Sequence, residues 1–175
     1  MKAGPPRALR LALAGVAVML LVAAGGETSD FMPKGGRALL VDVVAPTAAD
    51  LAAIRQEKRT EAQWLEFAKA QKKPLTEKEQ ATLAAYLAVN MPTANGAAAL
   101  PPDGRDLAWE GCQSCHSLFA GYLTQTGSAT RWRNMFLAPF HRNIRMSAQE
   151  REEFARYSEI NMPMKVEDIP AELRF

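Results

Sequence analysis

Cysteine and histidine are the scarcest reactive residues of this 175-residue chain, with two of each. Two cysteines exclude a disulfide-built scaffold, which needs several bridges in a short chain. Cys112 and Cys115 are so close that a bridge between them would close a tiny loop and staple little. Zinc is poorly served too: a structural site needs four ligands, and His116 and His141 are 25 residues apart, which fits no common spacing. Runs of β-branched residues are missing outside residues 39–45, which argues against a sheet. There is no concentrated basic run of the kind nucleic-acid binding demands, so no nucleic-acid partner is expected.

What remains favours helix. Apolar residues make up 48 %, enough for a packed core. Ala, Glu, Lys, Gln and Leu dominate the middle and end. The expected fold class is all-α, as one ordinary domain or two very small ones.

Residues 1–24 have the pattern of a signal peptide or a membrane anchor. Lys2, Arg7 and Arg10 precede an uncharged apolar run, Leu11 to Ala24, and small residues follow. Val22 and Ala24 suit cleavage before Gly25. The run is shorter than the ~20 residues of a spanning helix, although anchoring through residues 9–26 stays open. Without that segment, Lys and Arg number 18 against 19 Asp and Glu. The apparent basicity therefore belongs largely to the leader. Residues 25–44 read as a tether, Gly-rich at first and ending in an apolar run, Ala38 to Val44, that suits a buried strand or a helix start.

Helices are expected from Thr47 or Asp50 through Ile54, over Glu61 to Gln71, over Asp103 to Glu110 and over Ala129 to Leu137. Two further segments match at an offset of 71. Thr76-x-x-Glu79 continues to Leu83, Tyr86 and Asn90-Met91-Pro92. Ser147-x-x-Glu150 continues to Phe154, Tyr157 and Asn161-Met162-Pro163. Each opens on a capping box, puts its apolar residues on a shared face and stops before proline. Trp64 and Trp132 precede them. We read this as an internal duplication, with 45–92 as one helical copy, 93–102 as linker and 103–175 as the second copy.

Cys112-Gln113-Ser114-Cys115-His116 carries the chemistry. C-x-x-C-H is the signature of covalent haem attachment. Two intervening residues bring the thiols to the spacing of the two vinyl groups on one porphyrin edge, and the next residue offers an imidazole to the iron. Thiol–disulfide exchange also uses C-x-x-C, but in a βαβ frame with several strands, and this chain offers one short strand candidate at most.

Residues 103–165, through Cys112 to His116, Trp132, Met146-Ser147-x-x-Glu150 and Tyr157 to Pro163, resemble the class I cytochrome c domain. The resemblance implies one covalent haem c on Cys112 and Cys115, with His116 as proximal iron ligand. It also implies single-electron transfer after export. Residues 45–92 resemble the later half of the same domain yet contain no Cys or His, so that copy reads as haemless. The family usually supplies a methionine from the loop before the last helix. Here that count lands on Pro139 and Phe140, and His141 lies beside them. His141 is therefore our leading sixth ligand, with Met146, Met164 and Met135 as competitors and Met162, which matches Met91, as structural. Trp109, Phe119, Tyr122, Trp132, Phe136 and Phe140 are expected to wall the haem, or to be ordinary core. Arg131, Arg133, Arg142 and Arg145 are candidates for its propionates or for a docking face. The expected setting is periplasmic or extracytoplasmic, either free or anchored to the inner membrane, with a dehydrogenase or oxidase complex as redox partner. The alternatives are a sensor or peroxide-type haem protein with an exchangeable sixth ligand, and an assembly protein in which haem is structural.

Overall fold

The computed structural model describes residues 29–44, 47–93, 100–112 and 117–174. The signal or anchor expected over 1–24 lies outside them. The described residues are helical and contain no strand. In chain order the helices are α1 (Gly36–Leu39), α2 (Ala48–Gln56), α3 (Glu61–Lys69), α4 (Glu77–Asn90), α5 (Gly104–Cys112), α6 (Ala129–Met135) and α7 (Ala148–Asn161). Wider helical turns occupy Leu40–Val44, directly after α1, and Phe119–Leu123.

The two segments that match in sequence are built alike. Thr76 and Ser147 accept the N–H of Glu79 and Glu150, and each glutamate reaches back to its cap. Both helices have fourteen residues and stop where Pro92 and Pro163 follow. The likeness of the two halves reaches further back than residue 45. Residues 36–44, expected to end a tether, are helical and pack against α4. Glycine there marks close helix contact rather than looseness: a Cβ on Gly36 would lie 2.1 Å from Tyr86 Cβ. The second copy repeats this, with a Cβ on Gly104 falling 2.0 Å from Tyr157 Cβ. In each copy the first helix lies glycine-down across a tyrosine of the last.

Each copy has its own apolar core. Leu39, Leu40, Trp64, Leu83 and Leu87 centre the first. Leu107, Tyr122, Trp132, Phe136 and Phe154 centre the second, which also takes in Met32 from the start of the described chain and Ile169 from its end. In the first copy Arg59 covers the tryptophan: its guanidinium sits 4.7 Å from the Trp64 ring centre and 5.1 Å from that of Phe67.

Between the cores, α4 and α7 run antiparallel and exchange equivalent bonds. Asn90 Nδ2 donates to Glu153 Oε2 at 3.2 Å, and Asn161 Nδ2 to Thr82 Oγ1 at 2.9 Å. Tyr86 donates to Pro101 O, before α5, while Tyr157 donates to Pro33 O, before α1. Asp103 joins the two N-terminal helices. Its carboxylate accepts the N–H of Arg105 and Asp106 in its own helix, and those of Arg37 and Ala38 in α1. One side chain thus caps two helices, satisfying donors that a helix start leaves orphaned. Asp106 returns the bond to the Asp103 N–H and pairs with Arg37 at 2.8 Å.

Glu153 sits beside this cap, 2 % exposed, accepting the Gly104 N–H at 3.1 Å. Burial, reinforced by the Asp103 charge, raises its pKa from 4.5 to about 8. A folded-state pKa above the unfolded one means that stability is full below 4.5 and is lost as pH rises through about 8. Urea unfolding should show a loss of a few kcal/mol over that window, flattened in Glu153→Gln. Asp103→Ala should cost about 2–4 kcal/mol in the same assay, because two helix caps vanish at ~1–2 kcal/mol each.

Candidate functional site

The last turn of α5 carries Gly111 and Cys112 to the edge of the second core. Cys112 is half-buried. Gln113 to His116, and so Cys115 and the expected proximal ligand, lie outside the described residues. Across from Cys112 stands the segment after α6, where successive turns over residues 136–144 fold the chain back. Between the two sides lies a cleft of about 400 Å³, lined by Gly111, Cys112, Gly121, Tyr122, Met135, Phe140, His141 and Ile144. A second hollow of about 410 Å³ adjoins it, shares Gly111, Phe140 and Ile144, and adds Met146 and Arg145. Both volumes fall in the range of small-molecule and cofactor sites, about 300–1,000 Å³. Two glycines narrow the chain where it faces the cleft. A Cβ on Gly111 would come 2.6 Å from Met146 Cε, the flexible end of a side chain from the facing loop, which would have to shift to admit it.

Burial pushes the Cys112 thiol up to about 12. As a free thiol it stays protonated at neutral pH, unlike the low-pKa thiolates of disulfide exchange. The cleft floor is Tyr122, whose hydroxyl is 2.9 Å from Ser158 Oγ. Ser158 spends its own proton on Phe154 O, so Tyr122 is the donor. Behind Tyr122 stand Trp132, 5.4 Å away between ring centres, and Phe154 at 5.5 Å. The first packing is edge-on and the second tilted, and together they hold the floor in one place.

The expected wall residues therefore divide. Tyr122 lines the cleft, whereas Trp132 and Phe136 are buried one layer behind it. Trp132 Nε1 is buried with no hydrogen-bond partner, an orphaned donor in the cleft's domain. Phe140 lines both the cleft and the adjoining hollow, yet is 89 % exposed, so it borders them on the solvent side. Trp109 packs away from the cleft, edge-on to Phe31 at 6.1 Å. Among the sixth-ligand candidates, His141 and Met135 line the main cleft and Met146 lines the adjoining hollow. Met164 lines neither; its N–H donates to Leu123 O and its side chain packs on the core. Met162 is buried, as is Met91 in the first copy. Among the arginines, Arg133 is taken by Glu152 at 2.8 Å. Arg131, Arg142 and Arg145 are exposed, and Arg145 reaches the adjoining hollow.

Arg151, on α7, has no signal in the sequence and holds the loop in place. Its guanidinium donates to the carbonyls of Arg142, Ile144 and Met146 at 3.1–3.3 Å and lies 4.9 Å from the Phe136 ring centre. The rigid α7 thereby sets the position of His141 and Met146. Arg151→Met should lower stability by about 2–3 kcal/mol, since hydrogen bonds to a charged donor are the costly ones to lose. Limited proteolysis should then cut first within 136–146.

These residues fit a flat, largely apolar group joined at Cys112. The lining is mostly apolar, glycines open it where the backbone comes close, and imidazole and thioether side chains border it. No family model, curated protein or solved structure matches the chain.

Proposed function

We propose that residues 103–175 form a class I cytochrome c-like domain that binds one haem c covalently through Cys112 and Cys115, with His116 as proximal ligand. The chain as a whole is then a monohaem electron-transfer protein. The observation that carries this reading is the pairing of a C-x-x-C-H motif with an apolar cleft that begins at its first cysteine and is bordered by the only other histidine. Bound there, the haem iron supplies one-electron exchange between its ferrous and ferric states.

The chain's own residues do the rest. Cys112 and Cys115 would fix the group by two thioethers. Tyr122, Met135 and Ile144 exclude water from one edge of the cleft. His141 is the preferred sixth ligand, because it lines the same cleft as Cys112 and Arg151 fixes the loop after it. One pair of imidazole donors, His116 and His141, would hold the potential below that of a His/Met pair. The leader-like pattern of residues 1–24 supports export to the periplasm, or retention at the inner membrane. The first copy has no residues for attachment, and Arg59 lies over its tryptophan. Such a copy suits a subunit of a larger oxidoreductase better than a small diffusing carrier.

Intact mass and a reduced absorption spectrum test the reading. The purified protein should carry one added haem, lost in the Cys112→Ser, Cys115→Ser double variant. Its ferric spectrum should lack the weak far-red band of methionine–iron bonding. Such a band, abolished in Met135→Leu or Met146→Leu, would replace His141 by that methionine. Rapid CO binding to the reduced protein would favour an exchangeable sixth position. An unmodified mass would end the proposal.

A further inference from the structure

Acidic residues are distributed unevenly along the chain. Gly111 to Gln149 contains no Asp or Glu and four Arg. The rest of residues 25–175 carries 14 Lys and Arg against 19 Asp and Glu. The acid-free stretch is the one that encloses the Cys112 cleft. Of its arginines, Arg133 is matched by Glu152, while Arg131, Arg142 and Arg145 form no ion pair among the described residues. In the turns after α6, between Arg131 and Arg142 in the chain, two large apolar side chains face solvent: Phe140, which lines the cleft, at 89 % and Leu137 at 77 % exposure. Single exposed apolar residues are common, but two of them three residues apart, flanked in the chain by unpaired cations and bordering a cleft through Phe140, have the make-up of an interface with an apolar centre and a charged rim.

From this we infer that the 137–145 turn is the docking surface for an acidic protein redox partner, with Phe140 and Leu137 as the contact centre and Arg142 and Arg145 as the charged rim. The inference rests on the electron-transfer reading, which puts the exchanging group in the cleft that Phe140 lines. An acidic partner is favoured because the rest of the chain repels it, so that attraction is confined to this one side. Local charge of this kind orients encounter and raises association rates at low salt.

The full chain can be tested with two probes of opposite charge: an acidic plastocyanin-type copper protein and the cation tris(phenanthroline)cobalt(III). Each takes one electron from the reduced chain, the copper going from Cu(II) to Cu(I) and the cobalt from Co(III) to Co(II). The rate with the copper protein should fall as salt rises, and Arg142→Glu with Arg145→Glu should slow it about tenfold at low salt while speeding the cobalt reaction several-fold. A folding or haem-loading defect would slow both. Phe140→Ser should slow the copper protein at every salt concentration. If charge reversal leaves the copper reaction unchanged, or slows both probes alike, the docking surface is overturned while the haem reading stands. If the protein carries no haem, both fall together. If phosphatidylglycerol vesicles bind the chain through Phe140 while the copper reaction ignores Phe140 and both arginines, the face is a membrane contact and the inference is overturned.

Discussion

A single carboxylate organises the molecule. Asp103 terminates the free N–H groups of α5 and of α1 at once, which obliges the first helices of the two copies to meet end to end. No other side chain in the pair has room there: a Cβ on Gly35 would fall 2.0 Å from the Asp103 carboxyl carbon. Burial and the Asp106 charge push Asp103 above the usual carboxylate range, and the backbone donors oppose them. Once the two helix starts are joined, the tyrosine–glycine crossings follow, and α4 and α7 are brought antiparallel with Asn90, Glu153 and Asn161 between them. Buried polar groups of this sort tolerate few alternative arrangements, since each lost partner leaves an uncompensated donor or acceptor.

The cleft inherits its geometry from that joint through α7. One face of the helix meets α4. Another presents Phe154 and Ser158 to Tyr122 and Trp132, which set the cleft floor. From the same helix Arg151 grips the loop that bears His141. Arg156 adds a tie across the copies by pairing with Glu61 as well as Glu159. The first copy thereby acts as the foundation of the one that borders the cleft.

Helix caps were the most legible part of the sequence. Thr47, Thr76 and Ser147 each take up an N–H three residues on, a strictly local bond written in adjacent letters, and Thr60 and Ser128, not singled out as caps in the sequence, do the same. The matched segments were legible for the same reason. What escaped was anything that depends on distant residues. Gly35 and Gly36 looked like a tether because their neighbours, Asp103 and Tyr86, are far along the chain. Asp103 reads only as the start of its own helix, and nothing nearby announces that it caps α1 as well. Hydrophobicity does not reveal how far Phe140, which lines the cleft, stays open to solvent, and nothing near Arg151 announces its bonds to the loop. His141, by contrast, was singled out by its place in the loop before the last helix and by the scarcity of histidine, and it does line the cleft.

Arg59 deserves a final thought for anyone who would give the first copy a porphyrin of its own. By the correspondence of Gly36 with Gly104 and Trp64 with Trp132, the attachment motif would have to be written over residues 44–48. Writing it there would not suffice, because a guanidinium already rests over Trp64 and Phe67, the latter standing where the second copy has Met135. A porphyrin site in the first copy therefore requires eviction as well as installation: a smaller side chain at 59 before any cysteines are added.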